Sequence, residues 1–440
     1  MTMSVTVTMS VTVIGAGIGG LCAASLLSLS GENPLILEKD VRVGGRATSF
    51  PVKGCLLDNG WHASYYDHGY VGGTIGEILQ RLEQPVRLEK LDPPLSLYRH
   101  GTIESVVGFR HVPPELRPVL MKFAADIRKI PYEETHTYDD VTVMEWVREK
   151  TENPILLKHF NLSSYFAITA RADRASAGEY FRVLQIATSM CQGLGYPATG
   201  CIRTIADSLV RGIESRNGQV ITGAEVVKME VDGDCVSRVV YRKDGELQEI
   251  VPETVIFNPP IYSILDYITE FPPEFVKKVK AMKGNHTGPS TQVYICLTKP
   301  FVKVKSLVLL PEDADMWQPG EHCALFSPST CSSEVAPSGS QLVLVAVPYT
   351  GGAAESHAVD LLKEVFPGVE SCIAWVYSFE IPVVDGLAKH VGWVGRHKLP
   401  VSSPLKNLYF VGDTVEGTGP GMELPADSAR RCCLRIQGVS

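Results

Sequence analysis

The residues best placed to do chemistry lie near the start of the chain: the run Gly15-Ala16-Gly17-Ile18-Gly19-Gly20 and an acid, Glu38, 23 positions after the first glycine. The spacing G-x-G-x-x-G suits a phosphate cradle. Gly15 permits a sharp turn, Gly17 lets the backbone approach a pyrophosphate, and Gly20 lets a helix pack closely on a strand. Ile18 and Gly19 fall in the first turn of that helix, where unpaired N–H groups and the helix dipole favour negative charge. An acid at the offset of Glu38 takes the hydroxyl pair of a ribose and speaks against a ribose 2′-phosphate; Lys39 beside it is assigned to the same contact. The chemistry implied is the holding of a dinucleotide.

These residues need two strands and a helix to position them. Val11–Ile14 has the β-branched composition of a buried parallel strand, and Pro34–Leu37 reads as a second. The spacing between them predicts one complete βαβ unit. Further along, Val43-Gly44-Gly45-Arg46-Ala47 follows the acid after a short gap, then Asp58-Asn59-Gly60-Trp61-His62; near the other end stand Asn407-Leu408-Tyr409-Phe410-Val411-Gly412-Asp413 and Gly417-Thr418-Gly419-Pro420-Gly421-Met422-Glu423.

Taken together, these motifs resemble those of the FAD-dependent oxidoreductases that include phytoene desaturases and flavin amine oxidases. The likeness covers both ends strongly and the middle in outline. It implies an α/β fold, an FAD-binding, Rossmann-like, doubly wound domain with an inserted α+β substrate domain. It also implies that Gly45 and Arg46 lie near the pyrophosphate and ring edge, Gly60 and Trp61 near the flavin ring, and the backbone of Val226 against the adenine. Gly412 and Asp413 would meet the ribityl or pyrophosphate region. Gly421 and Met422 would open a last helix whose N-terminus faces the pyrimidine edge, where reduction places negative charge. A flavin does the hard step itself, its N5 taking hydride while the protein positions and desolvates. His62 is the candidate acid or base, because its charge changes near neutral pH.

Three departures bear on substrate. Where the family opens the returning cofactor segment with Gly-Gly, this chain has Thr199-Gly200-Cys201. Aligning Lys299-Pro300-Phe301 with the amine-oxidase turn puts Gln292 where a lysine commonly stands, and Gly417–Gly421 lacks the aromatic pair that cages an amine. Glu423-Leu424-Pro425 is also not the usual desaturase ending.

The remaining chain is read as five pieces: residues 1–73, 193–260 and 396–440 as the cofactor domain, 74–192 as a helical substrate or lid region, and 261–395 as a substrate-domain sheet. Amphipathic helices are expected over 74–81 and 115–130, another from the capping box Thr142/Glu145, and one from near Ser176. At 440 residues there is material for two or three cores. A net charge of −8 disfavours nucleic acid and anionic lipid as partners. Eleven dispersed cysteines without C-x-x-C or H-E-x-x-H suit reduced thiols in the cytoplasm, with no disulfide framework and no metal site. The apolar face of helix 115–130 leaves peripheral membrane contact open.

The expectation is an FAD-dependent oxidoreductase taking hydride from a C–C or C–N bond of a mostly apolar small molecule. Its electron acceptor is undecided among oxygen, a quinone and another carrier. The alternatives are a flavin amine or amino-acid oxidase and, from a different class, a non-catalytic interaction protein of the Rab-escort and GDP-dissociation-inhibitor type.

Overall fold

A computed structural model describes residues 7–190, 192–310 and 323–438. Cys191 lies outside the described residues. The cofactor sheet has seven strands, with Gln219–Thr222, Leu35–Glu38, Val7–Ile14 and Glu246–Phe257 side by side and parallel. Glu246–Phe257 is long enough to serve two partners on its other side. Its first half pairs antiparallel with Cys235–Lys243, which in turn pairs with Glu225–Asp232, and its last turn of ladder pairs parallel with Leu408–Phe410.

The register fixes where a ligand can go. Ile14 lies level with Leu37 and Phe257, and Phe257 with Phe410, so four parallel strands end on one line. In an open parallel sheet the crevice beyond the strand C-termini is the binding edge. Helices Ile18–Leu29, Arg203–Glu214 and Glu423–Ile436 cover one face, and Gly73–Arg81 packs Ile75, Ile78 and Leu79 into the same core. Residues 18–29 are buried nearly all round, which explains why that helix carries no charge. Cys432 and Cys433 are buried in this core, with Cys433 Sγ 3.6 Å from the Ala23 carbonyl.

Among the described residues the second sheet also has seven strands, ordered Ile373–Ile381, Ser290–Leu297, Gln341–Val347, Cys323–Phe326, Leu307–Leu310, Leu95–Arg99 and Thr102–Ser105. The alternating or β-branched runs Gln292–Leu297, Leu307–Leu310, Leu342–Val347 and Ile373–Phe379 mark four of them in sequence, and three go unmarked. Cys323–Phe326 shows only four described residues, and Leu95–Arg99 with Thr102–Ser105 is an edge hairpin inside the stretch expected to be helical. Short and edge strands lack the run of alternation that makes a strand legible. Cys235–Lys243 of the cofactor sheet was likewise not expected.

The helical block comprises Arg117–Lys129, Val143–Arg148, Pro154–Ile168 and Ala177–Met190. Thr142 and Glu145 form the expected reciprocal capping box. At its base the fully buried Arg182 is held by Asp139 at 2.7 Å and Glu179 at 2.9 Å. A buried charge is tolerable only when paired in this way.

Candidate active site

At the line of strand ends, Gly15, Glu38, Asn258 and Gly412 come together. The amide of Asn258 lies against the glycine turn and accepts a hydrogen bond from Gly20 N–H at 2.9 Å. A Cβ at Gly17 would stand 2.7 Å from Asn258 Nδ2, and one at Gly19 would stand 2.6 Å from Asn258 Oδ1 and 3.1 Å from Gly412 N. A Cβ at Gly20 would fall 2.2 Å from the Gly15 carbonyl oxygen, so the helix can pack this close only with glycine there. Gly45 completes the cradle, since a Cβ on it would lie 3.3 Å from Gly17 Cα. The residues present fit a pyrophosphate that requires bare backbone.

Glu38 sits at the far side of this cradle. Its carboxylate accepts from Ala16 N–H at 2.6 Å and Asp40 N–H at 2.8 Å, and burial pushes its pKa up against those two donors. Ala224 N–H donates to the Glu38 carbonyl at 2.8 Å, which brings the strand carrying the buried Val226 to the same end. Lys39 borders a polar groove there with Asp40, Glu225 and Arg242. The expected ribose and adenine contacts thus share one end of the crevice.

At the other end Arg46 donates to Asp413 at 2.6 Å and to the Val384 carbonyl at 2.7 Å. Asp413 also accepts from Gly386 N–H at 2.6 Å. Burial alone would raise this carboxyl, but Arg46 and the Gly386 amide hold it below the usual range. His62 turns back onto the same segment, with Nε2 3.1 Å from the Arg46 carbonyl and 3.4 Å from that of Asn59. A ring nitrogen facing two carbonyls carries hydrogen, and burial lowers the pKa of the ring, so Nε2 is a donor on a neutral imidazole.

Asp58 ties the pieces together. Its carboxylate accepts from Ser49 Oγ at 2.6 Å, Tyr196 OH at 2.7 Å and Ile202 N–H at 3.2 Å, while Tyr294 OH of the second sheet donates to its carbonyl at 2.9 Å. Tyr294 and Gln292 stand on the same face of Ser290–Leu297, two residues apart. Gln292 is buried, with Nε2 donating to Ser290 Oγ at 2.9 Å and Oε1 without a partner among the described residues. The Trp61 indole nitrogen is another buried polar atom in that state. Gly421 and Met422 precede the last helix as expected, and Glu423, its first residue, reaches across to accept from Thr74 N–H at 2.8 Å.

Trp61 also packs toward an apolar cavity. Its ring meets Phe166 edge-on at 6.0 Å, and Phe166 lines a cavity of about 300 Å³ inside the helical block. The walls are mostly apolar, including Leu120, Phe123, Phe160 and Leu162, with His111, His159, Ser163 and Tyr180 among them. Sequence reasoning singled out none of these four, nor the roles of Asn258, Asp58 and Glu423. A hydroxyl or imidazole gives no sign in sequence of what it faces until the elements are packed.

Comparison with known proteins agrees with this geometry. The family described as flavin containing amine oxidoreductase matches residues 18–436. The chain belongs to that family. That family is flavin-containing, and the dinucleotide cradle fits FAD as the flavin. Among relatives, rat all-trans-retinol 13,14-reductase is 24% identical over 351 residues, which is 67% of this chain and 55% of the relative. An uncharacterised Methanocaldococcus jannaschii protein is 25% identical over 51% of this chain and 54% of its own length. This chain thus spans about half the length of these two relatives. A carotenoid 3,4-desaturase of Haloarcula japonica is 48% identical over 50 residues, 11% of this chain and 10% of the desaturase. Among solved structures, an oxidoreductase from Methanosarcina mazei shares the fold with a TM-score of 0.74 and 21% identity over 96% of this chain and 99% of its own. Putrescine oxidase shares it with a TM-score of 0.69 and 13% identity over 99% and 100%.

Proposed function

We propose that this chain is a dehydrogenase- or desaturase-type member of the family, acting on a C–C or C–N bond of a mostly apolar substrate. The observation that supports it is the apolar cavity lined by Phe166, whose ring meets that of Trp61, the residue after Gly60. Bound in the cradle, FAD supplies a ring nitrogen, N5, able to accept hydride. The chain's own residues do the rest. Glu38 would hold the ribose, the glycine turn would admit the pyrophosphate, and Arg46 with Asp413 would close the other end. The first turn of the last helix offers N–H groups to developing negative charge. The cavity walls exclude water and orient the substrate along the helical block. His62, with Nε2 committed to two carbonyls, fixes the Arg46 backbone and has Nδ1 alone for proton exchange.

Gln292 supports the apolar reading over an amine oxidase, since no buried cation stands at that position to organise water for amine chemistry. The relatives named as a reductase and a desaturase handle retinol and carotenoids, molecules of this apolar kind. Val107, Val119 and Met121 are exposed on and before the helix that walls the cavity, and we assign that surface to transient contact with a bilayer from which substrate enters. Among the described residues no helix is long and apolar enough to cross a membrane.

Anaerobic stopped-flow mixing tests the proposal. Polyene and long-chain apolar compounds are expected to bleach the oxidised flavin faster than primary and secondary amines. Rapid bleaching by amines with none by the apolar panel overturns it in favour of an amine oxidase. Re-oxidation of the bleached protein with oxygen and with a soluble quinone identifies the class of acceptor.

A further inference from the structure

His111 and His159 are both buried and both line the cavity. Their rings stack at 5.1 Å, and His111 Nε2 lies 2.9 Å from His159 Nδ1. Such a contact holds one hydrogen between the two nitrogens. If both rings are neutral, their outward nitrogens, His111 Nδ1 and His159 Nε2, are then one donor and one acceptor, and a tautomer switch exchanges the roles. His111 Nδ1 is buried and has no hydrogen-bond partner among the described residues. A buried polar atom in that condition is costly, and a ligand group that pairs with it recovers the cost.

The surroundings keep the pair uncharged. Burial, with Arg99 and Arg117 nearby and Glu104 in opposition, lowers His111 to about 4; burial and His111 lower His159 to about 3. Phe109 and Phe160 both pack edge-on against the His159 ring at 5.4 Å. The pair therefore offers no positive charge to a carboxylate and no negative charge to an ammonium. One turn along the same helix, Ser163 Oγ and Tyr180 OH satisfy each other at 2.6 Å, a second neutral pair on the cavity wall.

Position along helix Pro154–Ile168 gives direction. His159, Ser163 and Phe166 stand at i, i+4 and i+7, on one face. Seven residues of helix span about 10 Å, so the imidazole pair lies that far from the Phe166 end, where Trp61 begins. We infer that the cavity recognises an apolar substrate carrying one uncharged hydroxyl or carbonyl group, held by the His111–His159 pair about 10 Å or more from the bond that reacts. This rests on the cavity being the substrate slot of the proposed function.

The test uses flavin-loaded protein and displacement of the neutral apolar dye N-phenyl-1-naphthylamine by three matched C15 compounds, farnesol, farnesoic acid and farnesene. Farnesol is expected to displace the dye at a concentration about tenfold or more below the other two. His159→Phe and His111→Phe, with flavin content and circular dichroism unchanged, are expected to erase the advantage of the alcohol while leaving the hydrocarbon within about threefold. Ala124→Trp, which fills the cavity, is expected to abolish dye binding and so locate the site. Equal binding of alcohol and hydrocarbon in the unmodified protein overturns the end-group inference alone. Preference for the acid also overturns it, moving recognition to Arg128 on the cavity wall. Failure of the dye and all three compounds to bind overturns the slot itself.

Discussion

Glu423 opens the last helix, is nearly sealed from solvent, and is crowded by Gly73, where a Cβ would lie 2.6 Å from its carboxylate. Burial pushes its carboxyl up to about 7, with the N–H groups of Thr74 and Ile75 pulling the other way. In the unfolded chain a glutamate titrates near 4.3, so between about pH 4.3 and 7 the native state binds more protons than the unfolded one. Stability then falls as pH rises through that window: the contribution of neutral Glu423 is complete below the unfolded pKa and lost as pH passes the folded one. A gap of nearly three pH units at about 1.36 kcal/mol each makes the loss roughly 2 to 4 kcal/mol. Glu423→Gln keeps the shape and an acceptor for Thr74 N–H but cannot ionise. Urea unfolding of the flavin-loaded protein, followed by far-ultraviolet circular dichroism at pH 4.5, 6 and 8, should show variant and parent within about 0.5 kcal/mol at pH 4.5. At pH 8 the variant should be more stable by roughly 2 to 4 kcal/mol. The same difference at all three pH values refutes the reasoning. So does a variant less stable at pH 8, which would mean that the two N–H donors outweigh burial and the carboxylate is the native form.

Gly17→Val and Gly20→Ala should separate binding from folding. The first meets only the end of the Asn258 side chain and should give folded, colourless protein, whereas the second strikes backbone and should lower the melting temperature as well. Full flavin content in Gly17→Val refutes the cradle. Glu38→Ala removes a charged ribose contact worth about 1.5 to 3 kcal/mol, so flavin affinity measured by equilibrium dialysis should fall about 10- to 100-fold. Arg46→Met leaves Asp413 buried with the Gly386 amide and should cost about 1 to 2 kcal/mol at pH 7, discounted because Arg46 is 38% exposed. Its pH dependence should reverse: Asp413 now stabilises above its unfolded pKa and loses that as pH falls, but without Arg46 stability should drop as pH rises, as urea midpoints at pH 5 and 8 will show. Met121→Asp should weaken sedimentation with neutral liposomes without changing flavin reduction by a detergent-solubilised substrate; unchanged sedimentation argues against the bilayer contact.

The cofactor half was legible because its chemistry is local and lies in the backbone. A pyrophosphate needs glycines at fixed offsets from a strand end, and a ribose needs an acid at the end of the next strand, so Gly15 to Glu38 spells the contact in one stretch. The partner that closes the cradle is less visible. Asn258 fills the glycine turn from a strand more than 200 residues away, and only the parallel register Ile14 to Phe257 puts it there. Asp58 stands in a visible motif, but its work of joining Ser49, Tyr196 and Tyr294 of three other segments is a property of packing.

The substrate half is legible only as composition. Its cavity draws walls from an edge hairpin and three helices, and the strands Leu95–Arg99 and Thr102–Ser105 are too short to announce that they leave the helical block for the second sheet. In an apolar slot, specificity depends on the few polar atoms that remain, because buried area holds a ligand without orienting it. Under the proposed function that places the discriminating information in His111, His159, Ser163 and Tyr180, four residues from separate turns or elements that in sequence look like ordinary interior positions. The same logic makes Gln292 informative: a neutral amide with an unpartnered oxygen can orient a water or a substrate group, but it cannot supply the charge that a lysine would. Under the proposed function, substrate choice then turns on the neutral His111–His159 and Ser163–Tyr180 pairs and on whether Arg128, also on the cavity wall, meets a charged group.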